Sequence, residues 1–287
     1  MRKGFYFQLL CVFFSLAFLQ GCDKAVQIAP SLTRVVGATA KAARPMTEQE
    51  EYYVGRAVAA TILGQYRIYN SDRLTSYVND VGQTVALASD RPYTQGGYHF
   101  VILDTEEVNA LACPGGIIYI TRGMLQKAQN EEELAAILAH EVAHVDHKDG
   151  LASIQKSRWA EAVTILGTEA GKQMTGADVA KLLSLFEGSV NDVTKTLLVK
   201  GYSRSQEEAA DQGALAYLHR LGYNPYGLPD VLGKLAQQQP SGAGQGIFAT
   251  HPGMDKRHSQ TKSFLTQKQW TRTEEGKRDR RFRQCAG

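Results

Sequence analysis

The sequence predicts an α+β, mainly helical fold, and three observations carry that reading. EEYYVGRAVAATILGQYRIY and the stretch from NEEEL through AAILAHEVAHVDHKDG combine helix-start signals with long runs of helix formers. Only two short segments, YHFVILD and IIYITRG, have the β-branched and aromatic content of strands. No repeat of roughly 20 to 50 residues suggests a solenoid. With 43% hydrophobic and 21% charged residues, the 287-residue chain can bury one large or two small cores.

In chain order, Arg2 and Lys3 precede an apolar run from Gly4 to Leu19 and then LQGC, a secretion signal too short and too one-sided for a stable membrane span. LQGC resembles the bacterial lipobox. Residues 1–21 are therefore expected to leave as a signal peptide, with Cys22 as the lipidated first residue and residues 22–45, which include Pro30 and Pro45, as a tether. The expected location is the bacterial periplasm, lipid-anchored to a membrane, with Asp23 leaning towards the inner one.

Thr47 and Glu50 form a capping box that opens the first helix. A second helix is expected over Asp72 to Leu87, followed by the two strands with VNALACPGG between them. The next helix is capped by Asn130, with Glu133 at its third position, and is expected to end at Gly150. Residues 151–200 read as largely helical, with GKQMTGAD and EGSVND as loops; a helix from about Ser205 to Leu221 stops at Gly222, and a short one follows near Leu228 to Gln237.

Losing Arg2 and Lys3 from the 32 basic residues leaves 30 against 29 acidic ones, so the mature chain is nearly neutral. The ending GKRDRRFRQCAG is basic: either a solvated tail or a contact for anionic lipid headgroups. Nucleic acid is not an expected partner outside the cytoplasm. Cys11 leaves with the signal and Cys22 carries lipid, so Cys113 and Cys285 remain, either paired or as free thiols.

The chemistry sits in HEVAH. Residues four apart on a helix share a face about 6 Å apart along the axis, so His140 and His144 can grip one ion. Glu141 points aside but can reach a water on that ion. Two imidazoles and a carboxylate among Ala135, Ala136, Leu138, Ala139, Val142 and Ala143 are costly to bury without partners, which a metal supplies. His147 cannot join them, because seven helical residues span about 10.5 Å. The third ligand is sought in YSRSQEEAADQGALAYLHRLG, where Glu207 and Asp211 lie four apart: one carboxylate can face the metal while the other supports it.

VNALACPGGIIYITRGML, HEVAH, SRSQEEAAD and THPGMDKR, in that order over roughly residues 46–265, resemble the HExxH zinc endopeptidases that include the CAAX prenyl proteases, the HtpX proteases and the periplasmic BepA and LoiP type. The resemblance implies a zincin-like metallopeptidase domain over 46–266, a basic tail over 267–287, and a small sheet whose edge strand flanks the active-site helix. It implies one Zn2+ per chain, held by His140, His144 and Glu207, with Glu141 as general base and Asp211 supporting the ligands. Asn109, Ala110, Leu111, Ala112 and Cys113 would form the edge that receives a peptide as an added strand. Arg257, matching the family's Arg after HP, is grouped with the substrate-binding residues. His251 would either stabilise the oxyanion or occupy the fourth zinc position in a closed resting form. Cys113 and Asp149 depart from the common pattern of the family. The implied substrates are unfolded or misassembled envelope proteins; the rival is a lipid-tethered chaperone or binding module using the same edge.

Overall fold

A computed structural model of the protein describes residues 44–168, 174–238, 246–273 and 276–286. The expected signal peptide, the lipidation site Cys22, Asp23 and all of the tether before residue 44 lie outside the described residues. No described helix is long and apolar enough to cross a membrane.

The described elements are α1 (Glu48–Leu63), α2 (Asp72–Leu87), β1 (His99–Leu103), β2 (Ala110–Ala112), β3 (Ile117–Thr121), α3 (Arg122–Leu125), α4 (Glu131–Asp146), α5 (Asp149–Ala152), α6 (Lys156–Thr168), α7 (Gly176–Lys195), a π-helical turn (Thr196–Lys200), α8 (Arg204–Arg220), α9 (Gly227–Gln237), α10 (Ile247–Thr250), α11 (Met254–Lys268) and α12 (Gly276–Cys285). They fall into two compact units. Among the described residues, one takes in those of 156–185 with 44–45, and the other those of 46–155 and 186–286. In the first, Lys181 pairs with Glu161 at 3.1 Å, and the Trp159 indole donates to the Arg44 carbonyl at 2.9 Å.

The larger unit is built around α4. Its start follows the expected capping chemistry, with the Asn130 side chain accepting from the Glu133 N–H at 2.9 Å. Ala135, Ala136, Leu138, Ala139, Val142 and Ala143 are all fully buried, so this helix has no solvent face over its central turns. The small side chains let α8 approach closely: Gly213 lies where a Cβ would stand 3.2 Å from that of Ala143.

The sheet runs β1-β3-β2, with β1 parallel and β2 antiparallel to β3, so β2 is an edge strand. The PGG turn joins β2 to β3, with Gly115 at φ 79° and Gly116 at φ 106°. Glu51, fully buried on α1, accepts the Gly115 N–H at 3.0 Å and is held by Arg91 at 2.8 Å.

Several expectations are corrected. The segment EGSVND is not a loop but part of α7, because Val190 and Val193 bury and outweigh the cost of one glycine. Helix α4 stops at Asp146 rather than Gly150: Lys148 is left-handed at φ 58° and starts the separate short helix α5. The basic ending is not simply a solvated tail. It forms α12, with Phe282 buried, Arg281 on the buried carboxylate of Glu131, and Arg278 on Glu132 at 2.6 Å. Cys113 and Cys285 are both free thiols, and burial pushes the Cys113 thiol far above its usual range.

Candidate metal centre

Two helices and one loop bring the donors together. Helix α4 supplies His140 and His144, whose Nε2 atoms lie 3.1 Å apart, as the four-residue spacing requires. Glu207 comes from the first turn of α8, which a capping box of Ser203 and Gln206 fixes in place. His251 follows α10, where Tyr202 N–H donates to Thr250 O at 3.0 Å and Ile247 N–H to Val108 O at 2.9 Å. Gly201, at φ 72°, lets the chain pass this loop: a Cβ there would overlap the Ala249 carbonyl oxygen.

His140, His144, Glu207 and His251 each offer one donor atom, all within 4.8 Å of one another, and all four residues are buried. His140 Nε2 is 3.2 Å from His251 Nδ1 and 3.4 Å from Glu207 Oε2; Glu207 Oε1 is 3.0 Å from His251 Nδ1 and 3.6 Å from His144 Nε2. Tetrahedral zinc, with bonds of about 2.0–2.1 Å, needs neighbouring donors about 3.3–3.4 Å apart. Three imidazole nitrogens and a carboxylate suit zinc chemically, and with one donor atom from each within 4.8 Å of the others they are close enough to converge on a single ion. The residues present fit the ion.

The outer nitrogens of the two helix histidines are also held. Asp211 Oδ1 lies 3.0 Å from His140 Nδ1, and Asp149 Oδ2 lies 2.7 Å from His144 Nδ1. Gln206 Nε2 in turn donates to Asp149 Oδ1 at 3.1 Å. Such partners fix which ring nitrogen faces the ion. Burial and Arg257 push the His140 imidazole down, but Asp211 and Glu207 carry it above its usual value. Burial raises the carboxyl of Glu207, yet Arg257 and the histidines hold it well below the usual carboxylate range. Asp211 is likewise lowered, against burial, by Arg257.

Arg257 does not lie open at a substrate edge. It is 5% exposed, with its fork on Asp211 at 2.7 and 2.8 Å and Nη1 2.6 Å from Glu207 Oε2, although that oxygen accepts no aligned hydrogen bond. The guanidinium is thus a counter-charge to the two carboxylates. A cleft of about 160 Å³ reaches Glu207 and Arg257 between Arg204 and Lys256.

The structure brings Glu141 to the cluster, 1% exposed, with Oε1 3.7 Å from His251 Nε2 and Oε2 without a hydrogen-bond partner among the described residues. Asn109 is tied to the same loop, its Oδ1 accepting from Thr250 Oγ1 at 3.1 Å. Ala110, Leu111, Ala112 and Cys113 form or follow the edge strand as expected, though their side chains are buried. His147 caps the end of α4, exposed and apart from the metal set.

Sequence reasoning missed two residues. Asp149 was visible only as a departure from a pattern, because its contact depends on the left-handed turn at Lys148. Tyr202 stacks on the His144 ring with centroids 4.0 Å apart and planes at 21°. Its signal was the aromatic directly before the SRSQEE stretch.

Comparison with known proteins bears on this arrangement. The chain is 25% identical to the beta-barrel assembly-enhancing protease of Yersinia pestis over 249 residues, 86% of this chain and 49% of that protein. It is 25% identical to the metalloprotease LoiP of Escherichia coli over 185 residues, 64% of this chain and 66% of that one. A third relative, the protease HtpX homolog of Salinibacter ruber, is 28% identical over 183 residues, 54% of this chain and 64% of that protein. The chain spans about half the length of the beta-barrel assembly-enhancing proteases it matches. The family description "Peptidase family M48" matches residues 72–264, which include every donor of the buried cluster, and the chain belongs to that family.

Proposed function

We propose that the protein is a zinc-dependent endopeptidase, anchored through lipid on Cys22 in the bacterial envelope, that cleaves unfolded or misassembled envelope proteins. The observation that carries the reading is the buried four-donor cluster with the unpaired Glu141 Oε2 beside it. A zinc ion held there supplies a Lewis acid that makes water acidic near neutrality and polarises a carbonyl. His140, His144 and Glu207 would be its ligands, oriented by Asp211 and Asp149. Glu141 accepts the proton of the attacking water and returns it to the leaving amine. The peptide adds to β2, whose outer edge lacks a strand partner among the described residues and selects backbone rather than sequence. Relatives named for beta-barrel assembly support an envelope substrate.

His251 favours the closed resting form over the oxyanion role, since its Nδ1 is 3.0 Å from Glu207 and 3.2 Å from His140. Four protein donors also favour a second reading, a binding module with structural zinc, because structural sites are closed. Casein cleavage by the detergent-solubilised full chain, before and after zinc loading, separates the two. Cleavage by the wild type and none by Glu141→Gln at equal zinc content is the expected result. Absence of cleavage from both, and from His251→Ala, would leave the binding module. Loss of radiolabelled palmitate on Cys22→Ala would test the anchor.

A further inference from the structure

We propose that Tyr202 is a further catalytic residue, whose hydroxyl donates a hydrogen bond to the scissile carbonyl oxygen as that oxygen becomes negatively charged. The inference rests on the peptidase reading above.

Tyr202 is held rigidly between the two halves of the site. Its ring lies flat on His144, 4.0 Å between centroids, and meets the His251 ring edge-on at 5.7 Å and 63°. Its N–H is bonded to Thr250, the residue before His251. It is 6% exposed, and its hydroxyl has no hydrogen-bond partner among the described residues. A buried hydroxyl without a partner is a net cost, and phenylalanine would keep the same stack without it. The group is therefore placed for a partner that comes and goes.

The charge around it says which kind. The acidic side chains of Glu141 and Glu207 share the site, and a phenol, whose ordinary pKa is about 10, keeps its proton at neutral pH and acts as a donor rather than a base. The other candidate donors are engaged: Arg257 on Asp211 and Glu207, and His251 against Glu207 and His140. Glu141 Oε2, also unpartnered, is the complementary acceptor.

In the reaction, the water oxygen adds to the carbonyl carbon and one water proton passes to Glu141. The carbonyl π pair moves onto oxygen, which accepts the hydrogen bond from Tyr202. As the tetrahedral species collapses, the C–N bond breaks and the nitrogen takes the proton from Glu141. Tyr202 keeps its own proton throughout. A donor of this kind, active only when charge develops, raises kcat rather than ground-state binding.

The test compares Tyr202→Phe with wild type in the full-length, zinc-loaded chain. Zinc content is measured by mass spectrometry, kcat and KM on a peptide, and the affinity of a phosphinic peptide, which mimics the tetrahedral oxyanion, by calorimetry. The expected result is one zinc per chain, KM within about twofold, kcat lower by about a hundredfold, and phosphinic peptide bound correspondingly more weakly. Equal kcat and equal phosphinate affinity in the two proteins would overturn the proposal and leave the ring as a support for His144. In that case Tyr202→Ala alone would lose zinc affinity. If neither wild type nor His251→Ala cleaves peptide, the peptidase reading fails on its own, and the phosphinate comparison still reads the hydroxyl. Failure of both wild type and His251→Ala to bind the phosphinate overturns both.

Discussion

His144 Nδ1 lies 2.7 Å from Asp149 Oδ2, on the edge of the imidazole opposite the nitrogen that faces His140 and Glu207. Lys148, left-handed at φ 58°, turns the chain back so that a residue five positions on can reach the ring. A carboxylate there fixes the tautomer and makes the ligand nitrogen more basic. Asp149→Asn should therefore weaken zinc binding by about ten- to a hundredfold, read by competition with a coloured chelator. Melting of the metal-free chain should barely change, since the site is small beside the core. An unaltered zinc affinity would remove Asp149 from the metal set.

The same carboxylate shows where the sequence stops being legible. His140, Glu141 and His144 follow from one helical period, and Glu207 and Asp211 from the same period on a second helix. Asp149 does not, because its place depends on a helix ending four residues before the glycine that signals an end. Arg257, grouped with the substrate edge only by its match to the family's Arg after HP, is equally illegible in pattern: α11 is so polar, in MDKRHSQTKSFLTQK, that nothing hints which side is buried. The basic ending hides its docking because Phe282 is one apolar residue among charges, and its acidic partners lie about 150 residues earlier in the chain.

Those partners give a pH-dependent prediction. Glu131, 0% exposed at the start of α4, accepts from Tyr77 at 2.9 Å, Tyr223 at 2.8 Å and Arg281. Burial raises its carboxyl, but Arg281, Tyr223 and Tyr77 bring it below the usual value. A carboxyl lowered on folding adds stability above its unfolded pKa, near 4.3, and loses it as pH falls through the lower folded value. Arg281 is half-exposed, so its share is screened and the two tyrosine bonds dominate. Glu131→Gln should cost about 1–2 kcal/mol at neutral pH, and the gap from wild type should close on acidification below pH ~4. Urea unfolding at several pH values checks this. A gap that widened in acid would contradict the sign.

Gly55 tests how α1 sets the turn beyond the edge strand. A Cβ there would overlap the carbonyl oxygen of Pro114, a backbone atom that cannot swing away. Alanine gains about 1 kcal/mol in helix propensity, whereas overpacking of this kind costs about 1–3 kcal/mol or more. The steric term wins, so Gly55→Ala should be destabilised by about 1–2 kcal/mol net in chemical unfolding. It should also raise KM for peptide more than it lowers kcat, because the PGG turn follows the strand that would receive substrate.

His251 is the residue on which the proposed resting and working forms of the site would differ. Its Nδ1 completes a set of four donors, and its Nε2 stands 3.7 Å from Glu141 Oε1, so the ring lies between the proposed metal ligands and the proposed base. The loop that carries it is tied down by Ile247 to Val108 and Thr250 to Asn109, both at the start of the edge strand. In the proposed mechanism a peptide added to β2 would lie beside those contacts, and substrate binding and release of His251 would then be linked through Asn109. His251→Ala should then bind zinc more weakly, by loss of one donor, yet hydrolyse casein faster at saturating zinc. Asn109→Ala should move the rate in the same direction by freeing Thr250, with all four metal donors intact. A large loss of turnover in His251→Ala with zinc retained would instead place that imidazole on the oxyanion. In that outcome His251 and Tyr202 would share one task, and their combined variant would lose less than the product of the single losses.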